Sequence, residues 1–270
     1  MEENEDSSQN KPVQSSKSSQ ISDSESELEQ IPKDSKEIEK IDISIKDFEI
    51  LPENTNKCDL SFKVIVIGDS FVGKSSLANK AIKNKFDTTY STTVGFDYFS
   101  FFLKINDKIL KLQIWDTCGQ ENYQSLISNF YRNSSLALMV YAINNRSSFE
   151  HIDNWLKEIK VNSNPDAKIF LIGNKKDLEE ERVVSYEEAE KYAEDFEFSK
   201  FFESSAKNGT NAQEIFIESA KILYEDYLEY KSAISFNTSK VSTYSGQKLS
   251  IFLILFFKIY FLLRKQFLEA

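Results

Sequence analysis

The chain has 270 residues, a formal net charge of −10 at pH 7, and 40% hydrophobic residues. This acidic balance argues against a nucleic-acid-binding protein, which would present clustered positive charge to phosphates. The whole chain contains 2 cysteines, Cys58 and Cys118, so a disulfide framework is not indicated and we expect an intracellular protein.

An acidic, serine-rich segment occupies residues 1–57, where 15 Asp or Glu residues accompany 7 Lys residues. Aromatic residues are scarce in this segment, so we predict that it is disordered. No apolar secretory segment opens the chain, and Glu2 excludes glycine myristoylation. Both observations agree with an intracellular location.

Residues 68–75 read G-D-S-F-V-G-K-S and fit the pattern of a phosphate-binding loop. In this pattern, glycines let backbone N–H groups approach phosphate oxygens, and a lysine reaches the outer phosphates. The apolar run Phe62–Ile67 predicts a buried strand before the loop, and Ser75–Ala81 predicts a helix whose N-terminus faces the anion. Taken alone, the loop would also suit an ATPase or a small-molecule kinase.

Strands and helices alternate in the region that follows the phosphate loop. This order predicts an α/β fold with a mostly parallel sheet, helices on both faces, and a ligand at the carboxyl ends of the strands. Phe96–Ile105 and Ile109–Trp115 predict an antiparallel hairpin through Asn106 and Asp107. Further strands are predicted at Leu136–Ala142 and Lys168–Gly173, and helices at Ser147–Asn162, Ser185–Asp195 and Asn211–Tyr230.

The motif N-K-K-D at Asn174–Asp177 follows the last of these strands. A carboxylate at Asp177 can accept two hydrogen bonds from the N1–H and the exocyclic amine of guanine, whereas adenine offers no such pair. A solvated charged turn is the alternative for such a sequence in isolation. At this distance after a phosphate loop, the motif predicts a site that selects guanine.

Several motifs in this order resemble those of the Ras superfamily of small GTPases and, within it, the Rab family. The similarity covers about residues 60–230, and we place the domain at residues 58–230. The superfamily motifs are the phosphate loop, WDTCGQE at 115–121, NKKD at 174–177 and ESSAK at 203–207. The Rab-like motifs are TVGFD at 93–97, KLQIWD at 111–116, FYR at 130–132 and YAINNRSSF at 141–149.

The resemblance implies a P-loop GTPase (G domain) with a six-stranded sheet. Such a protein binds GTP or GDP with Mg²⁺, hydrolyses GTP to GDP and phosphate, and would act as a switch in vesicle traffic. Lys175 is similar to the lysine over the base and ribose, and Gly119 to a glycine whose N–H senses the γ-phosphate. The nucleotide-binding residues implied in this way are Gly68, Asp69, Ser70, Phe71, Val72, Gly73, Lys74, Ser75, Ser76, Phe86, Thr93, Gly119, Asn174, Lys175, Asp177, Ser205, Ala206 and Lys207.

The resemblance also implies catalytic and metal-binding roles. Gln120 is similar to the glutamine that orients the attacking water, and Lys74 and Thr93 complete the catalytic set. The hydroxyls of Ser75 and Thr93 and the carboxylate of Asp116 are similar to the magnesium-binding set of the family.

Three positions need separate comment. Phe86 has the spacing of the aromatic residue that stacks on guanine in this family, although a core phenylalanine is the alternative. Phe71 stands at a loop position that is usually small, and Cys118 stands where alanine is common. We expect nucleotide binding to survive these departures, whereas the hydrolysis rate or partner choice can shift.

Two polar loops, Lys85–Gly95 and Thr117–Ser128, are predicted to become ordered around a γ-phosphate and Mg²⁺. Nearby aromatic residues predict a surface that partner proteins recognise in the triphosphate state, unless some of them simply pack on the sheet. The resemblance implies an exchange factor, a GTPase-activating protein and effectors as partners. The aromatic candidates are Tyr90, Phe96, Trp115 and Tyr131.

Two other functions remain open at this point. An ATP-using phosphotransferase could share the phosphate loop, although NKKD and ESSAK oppose it. A nucleotide-binding interaction module with negligible hydrolysis is the second alternative.

The C-terminal part reads as a flexible linker at 231–248 and an apolar tail at 249–270. The chain does not end in the cysteines that Rab-like proteins usually carry, so prenylation is not expected. A helix over Ile251–Leu263 would span about 20 Å, which is shorter than a bilayer core of about 30 Å. A marginal anchor, an interfacial helix and translated unspliced sequence remain open for the tail, and we expect the protein in the cytosol and on the cytosolic face of endomembranes.

Overall fold

The computed structural model describes residues 47–88, 93, 95–118 and 130–241, with only the backbone described for 233–241. Its strands are β1 (Phe48–Leu51), β2 (Leu60–Ile67), β3 (Phe96–Ile105), β4 (Lys108–Thr117), β5 (Leu136–Ala142), β6 (Lys168–Asn174) and β7 (Lys200–Glu203). Its α-helices are α1 (Lys74–Lys83), α2 (Arg146–Glu150), α3 (Ile152–Asn162), α4 (Tyr186–Asp195) and α5 (Ala212–Val241), and a 3₁₀ helix spans Lys176–Glu181.

The strands form one mixed sheet in the order β1-β3-β4-β2-β5-β6-β7. Strands β4, β2, β5, β6 and β7 are parallel to their neighbours in this series, whereas β3 pairs antiparallel with both β1 and β4. The predicted α/β class and the hairpin β3–β4 are therefore confirmed. The predicted number of six strands is wrong, because the described part of the chain forms a 7-stranded sheet.

Each face of the sheet is covered by a hydrophobic core, and β2 shows how the sequence supplies both. Its successive side chains point to opposite faces, so Val64 packs in one core and Ile65 in the other. The first core includes Leu77 of α1 and Phe216 of α5, and the second includes Leu156 of α3. Such packing on both faces holds the strand ends, and the loops that follow them, in fixed positions.

Two predictions about the ends of the domain need correction. Disorder over residues 1–57 is wrong for Phe48–Leu51, which pair with Phe102–Ile105 at the free edge of β3. The linker at 231–248 is wrong for its first part, because α5 continues to Val241 through residues that include no Gly or Pro to stop a helix. Residues 1–46 and 242–270 lie outside the described residues.

The single helix predicted at Ser147–Asn162 is interrupted. It consists of α2 and α3, which meet at His151. The side chain of Asn145 caps α2 by accepting a hydrogen bond from the Ser148 N–H at 3.2 Å. The break places His151 next to the phosphate loop, as described below.

None of the helices in the described ranges is long and apolar enough to cross a membrane. The apolar stretch Ile251–Leu263 is not among the described residues, so its three interpretations stay open.

Candidate functional site

The loop between β2 and α1 has the backbone that a phosphate-binding loop requires. Gly68 and Gly73 have φ angles of 136° and 95°, a region that L side chains rarely adopt. A Cβ atom on Gly68 would lie 2.1 Å from the Val140 carbonyl oxygen, and one on Gly73 would lie 2.4 Å from the Asn174 amide nitrogen. Both glycines are therefore needed for the loop to pack against β5 and the end of β6.

Lys74 lies inside this loop with 6% of its surface exposed. Its Nζ donates to the carbonyl oxygens of Gly68 at 2.9 Å and Asp69 at 2.8 Å. Burial lowers the pKa of Lys74 to about 8, while the carboxylates of Asp116 and Asp69 oppose this shift. The loop thus holds a desolvated cation where the outer phosphates of a nucleotide are expected.

The structure brings together the three side chains predicted to bind magnesium. Ser75 Oγ and Thr93 Oγ1 lie 2.8 Å apart. Asp116 is completely buried, and neither of its carboxylate oxygens has a hydrogen-bond partner among the described residues. Burial raises the pKa of Asp116 to about 6, opposed by the nearby Ser75 hydroxyl and the Lys74 ammonium.

These three side chains suit a magnesium ion whose other ligands are phosphate oxygens and water. Groups of three or more His, Cys, Asp or Glu side chains able to hold a metal do not occur in the described part of the chain. Mg²⁺ does not require such a protein cage, because it prefers a few protein oxygens together with water and phosphate oxygens. Two hydroxyls and one buried carboxylate that lacks a hydrogen-bond partner in the described part of the chain fit this demand.

Asn174 connects three predicted motifs. Its Nδ2 donates to the Val72 carbonyl of the phosphate loop at 2.8 Å, and its Oδ1 accepts from the Ala206 N–H at 3.2 Å and from the Ser204 hydroxyl at 3.3 Å. The residue is 1% exposed. Asn174 therefore acts as a buried link between the phosphate loop and the ESSAK loop.

Asp177 lies beside this link. Its Oδ1 accepts a hydrogen bond from the Ser205 hydroxyl at 2.6 Å, and its Oδ2 lies 3.8 Å from Lys207 Nζ. Lys175, with a φ of 67°, precedes it in the left-handed region, and burial lowers the pKa of the Lys175 ammonium. A carboxylate held in this way retains acceptor capacity for the two N–H groups of a guanine edge.

The remaining site predictions have mixed outcomes. Phe86 is 36% exposed, so it is not a core phenylalanine, and its stacking on a base stays a prediction. Phe71 is 56% exposed and has a φ of 67°, so its bulky ring points away from the packed interior. Gly119 and Gln120 lie outside the described residues, and their roles stay predictions.

A cluster of aromatic rings covers the sheet next to the site. Phe96 lies 5.2 Å from Trp115 and 4.7 Å from Phe130 between ring centroids, and Tyr98 lies 5.3 Å from Trp115. Phe96 and Tyr98 are 43% and 42% exposed. We call Phe96, Tyr98, Trp115 and Phe130 the aromatic patch.

The prediction for this surface was wrong at Tyr131. This residue is 1% exposed, and its hydroxyl donates to Glu158 Oε2 at 2.9 Å; Phe130 supplies the ring instead. Sequence reasoning also missed Tyr98, which the two-residue spacing from Phe96 on a strand could have revealed. Tyr90 is not among the described residues.

Comparison with known proteins agrees with the geometry. A model of the Ras family matches residues 63–225. Ras-related protein RABA1b of Arabidopsis thaliana is 42% identical over 166 residues, which cover 62% of this chain and 76% of the relative. Ras-related protein RABA1c of the same organism is 41% identical over 160 residues, which cover 59% and 74%.

Proposed function

The chain belongs to the Ras family and is a Rab-like small GTPase, and on this premise we propose that it is a Mg²⁺-dependent switch in vesicle traffic. GTP hydrolysis to GDP and phosphate would reset the switch. The observation that supports the nucleotide assignment is the link made by Asn174, which joins the phosphate loop to the ESSAK loop. Asp177, which accepts a hydrogen bond from Ser205 of that loop, would select guanine. An ATP-using phosphotransferase would have no use for this carboxylate.

Mg²⁺ would be held by the Ser75 and Thr93 hydroxyls, with Asp116 supporting it. The 2.8 Å approach of the two hydroxyls supports this assignment, as does the buried carboxylate, which has no hydrogen-bond partner among the described residues. A bound Mg²⁺ would neutralise charge on the β- and γ-phosphate oxygens. Lys74 would contribute its ammonium at the same phosphates, and Gln120 would orient the attacking water.

The aromatic patch is our proposal for the surface that effectors contact. Its rings are large and partly exposed, and aromatic residues supply much of the binding energy at protein interfaces. Phe96 and Trp115 stand at the ends of β3 and β4 that lead into the two predicted switch loops. The exchange factor and the GTPase-activating protein would act on the same switch loops. The apolar tail at 249–270 would bring the protein to a membrane.

Nucleotide selectivity tests the core of this proposal. We expect wild-type protein to bind GDP at least about a thousandfold more tightly than ADP, because adenine leaves Asp177 without partners. Asp177→Asn should lower GDP affinity at least about a hundredfold and improve binding of xanthosine diphosphate, whose base has a carbonyl oxygen in place of the amine. Competition against fluorescent GDP measures the affinities for GDP, ADP and xanthosine diphosphate. Asp107→Asn, at an exposed position, is the control. Equal affinity of the wild type for GDP and ADP would refute the proposal.

Hydrolysis is tested separately by single-turnover assays of wild-type protein and Gln120→Leu. The wild type should convert bound GTP slowly, and the variant should be slower still because no amide orients the water. Identical negligible rates, also with an activating protein present, would support the inert interaction module instead.

A further inference from the structure

Asp69 places a carboxylate in the loop that we propose to receive phosphates. A carboxylate repels phosphate oxygens, and this one is part of the loop itself, between Gly68 and Lys74. Its side chain is 17% exposed, so water does not fully screen it. Hydrogen-bond donors to this carboxylate would reduce its repulsion of a bound phosphate.

Both oxygens of the Asp69 carboxylate are occupied by donors from outside the loop. Trp155 Nε1 donates to Oδ1 at 2.9 Å, and His151 Nδ1 lies 2.6 Å from Oδ2. Because an ionised carboxylate only accepts hydrogen bonds, a hydrogen bond at this distance requires the imidazole to carry a hydrogen on Nδ1. The other ring nitrogen, Nε2, lies 3.4 Å from the Ser147 hydroxyl.

The two donors come from one short stretch of helix. His151 is the residue at which α2 ends and α3 begins, and Trp155 follows four positions later. Residues separated by four lie on the same helix face. Trp155 is 4% exposed and packs in the second hydrophobic core, so the donor that it presents is fixed by the fold.

Asp69 transmits this fixed position to the phosphate-binding lysine. Its carboxylate is held by α3, and its backbone carbonyl accepts a hydrogen bond from Lys74 Nζ at 2.8 Å. The contacts thus run from the core through Trp155 and Asp69 to the ammonium that meets the phosphates. Loss of the hydrogen bonds from Trp155 and His151 would let the loop backbone move. It would also leave the Asp69 carboxylate without these donors near the bound nucleotide.

We propose that His151 and Trp155 are positioning residues that hold the phosphate loop through the Asp69 carboxylate and thereby slow nucleotide release. This inference rests on the proposed binding of guanine nucleotides. It assigns a role to the only histidine of the chain and to the break between α2 and α3.

The test is the release rate of fluorescent GDP from full-length protein in excess unlabelled GDP and Mg²⁺. Trp155→Phe keeps an aromatic ring in the core and deletes the N–H, and we expect release to be about five to ten times faster. His151→Ala should have a similar effect. His151→Asn, which retains an amide donor near the position of Nδ1, should restore release to within about twofold of wild type.

Tyr192→Phe is the matched control. This substitution keeps the ring and deletes one hydrogen bond to the carboxylate of Asp153, which lies on α3 like the donor Trp155. Tyr192 does not contact the phosphate loop in the described structure. We expect its release rate to equal that of wild type even where its thermal midpoint falls as far as that of Trp155→Phe. A purely structural role would instead make release follow the thermal midpoint in all variants.

The outcomes are distinct. Release at the wild-type rate from both Trp155→Phe and His151→Ala overturns the inference and leaves the proposed function intact. Release as fast from Tyr192→Phe as from Trp155→Phe also overturns it. Wild-type protein that does not retain GDP refutes the proposed function and the inference together.

Discussion

Asp116 and Lys74 are opposite charges that are both buried beside the phosphate loop, 0% and 6% exposed. Burial of an ion is costly unless partners replace the water that it loses. Lys74 has such partners in two carbonyl oxygens, whereas the oxygens of Asp116 have none among the described residues. At the scale of single residues, this imbalance is the physical argument for the magnesium site that we propose.

Replacement of this carboxylate by an amide should therefore affect binding and stability differently. In Asp116→Asn, we expect the ratio of the GDP release rates with EDTA and with Mg²⁺ to be at least about tenfold smaller than in the wild type, because the charge that supports the ion is gone. The free energy of unfolding of the nucleotide-free variant at pH 8 should stay within about 1 kcal/mol of the wild-type value, because the substitution also removes the cost of a desolvated charge. Release rates with Mg²⁺ and with EDTA, together with urea unfolding, measure the two effects.

Asp97→Asn is the control for this prediction. Asp97 pairs with Asp116 across β3 and β4 but is exposed to solvent. Its replacement should leave the Mg²⁺ effect unchanged. An unchanged Mg²⁺ effect in Asp116→Asn would show that this carboxylate does not support the ion.

Single residues also show where sequence reasoning ends. The residue types of the phosphate loop and of NKKD were sufficient to single out Lys74 and Asp177, because their chemistry restricts them to few alternatives. The structure gives their contacts within the protein, and their roles toward a nucleotide stay predictions. The motif F-Y-R contains two adjacent aromatic residues, and only the packing decides that Phe130 joins the aromatic patch while Tyr131 is buried. The contact of Asp69 with His151 joins residues far apart in sequence, so no local pattern could predict it.

At the scale of elements, strand length and burial decided what could be predicted. All seven side chains of β5 are buried, and such a continuous apolar run is a strong signal. β1 and β7 have 4 residues each and are only partly buried, so neither shows a clear period. β1 also lies in an acidic segment whose average composition suggested disorder.

β1 yields a prediction about its own contribution. Phe48 and Ile50 are 41% and 37% exposed, so this strand contributes mainly edge hydrogen bonds, aided by Lys221 Nζ at 4.8 Å from the Phe48 ring. Deletion of residues 2–51 should lower stability by about 1–2 kcal/mol relative to deletion of residues 2–46. For a domain of this size, the thermal midpoint should fall by roughly 2–8 °C.

Nucleotide affinity should change less than twofold between these two deletions. β1 pairs with Phe102–Ile105, at the opposite end of β3 from Phe96 and the nucleotide site. Equal thermal midpoints would mean that β1 adds no stability. A loss of GDP affinity would mean that this sheet edge is coupled to the site.

At the scale of the whole described domain, stability and nucleotide binding share one set of loops. The phosphate loop follows β2, Asn174 ends β6, and Ala206 follows β7, so the contacts of Asn174 join loops from three strands. A ligand that binds only the folded state stabilises it by an amount that grows with the logarithm of its concentration over its dissociation constant. Residues in these loops can thus affect the fold, the ligand or both.

Asn174 and Asp177 should separate these two contributions. Asn174→Ala leaves the Val72 carbonyl and the Ala206 N–H without a buried partner, so stability should fall by about 2–4 kcal/mol even without nucleotide. Asp177→Ala loses a contact with the Ser205 hydroxyl at a more exposed position, so nucleotide-free protein should lose less than about 1 kcal/mol. Its rise in thermal midpoint on addition of GDP should nevertheless largely disappear, because the guanine partner is gone. Thermal unfolding of both variants with and without GDP distinguishes the two roles, and equal losses without GDP would show that Asn174 is not the structural link between these loops.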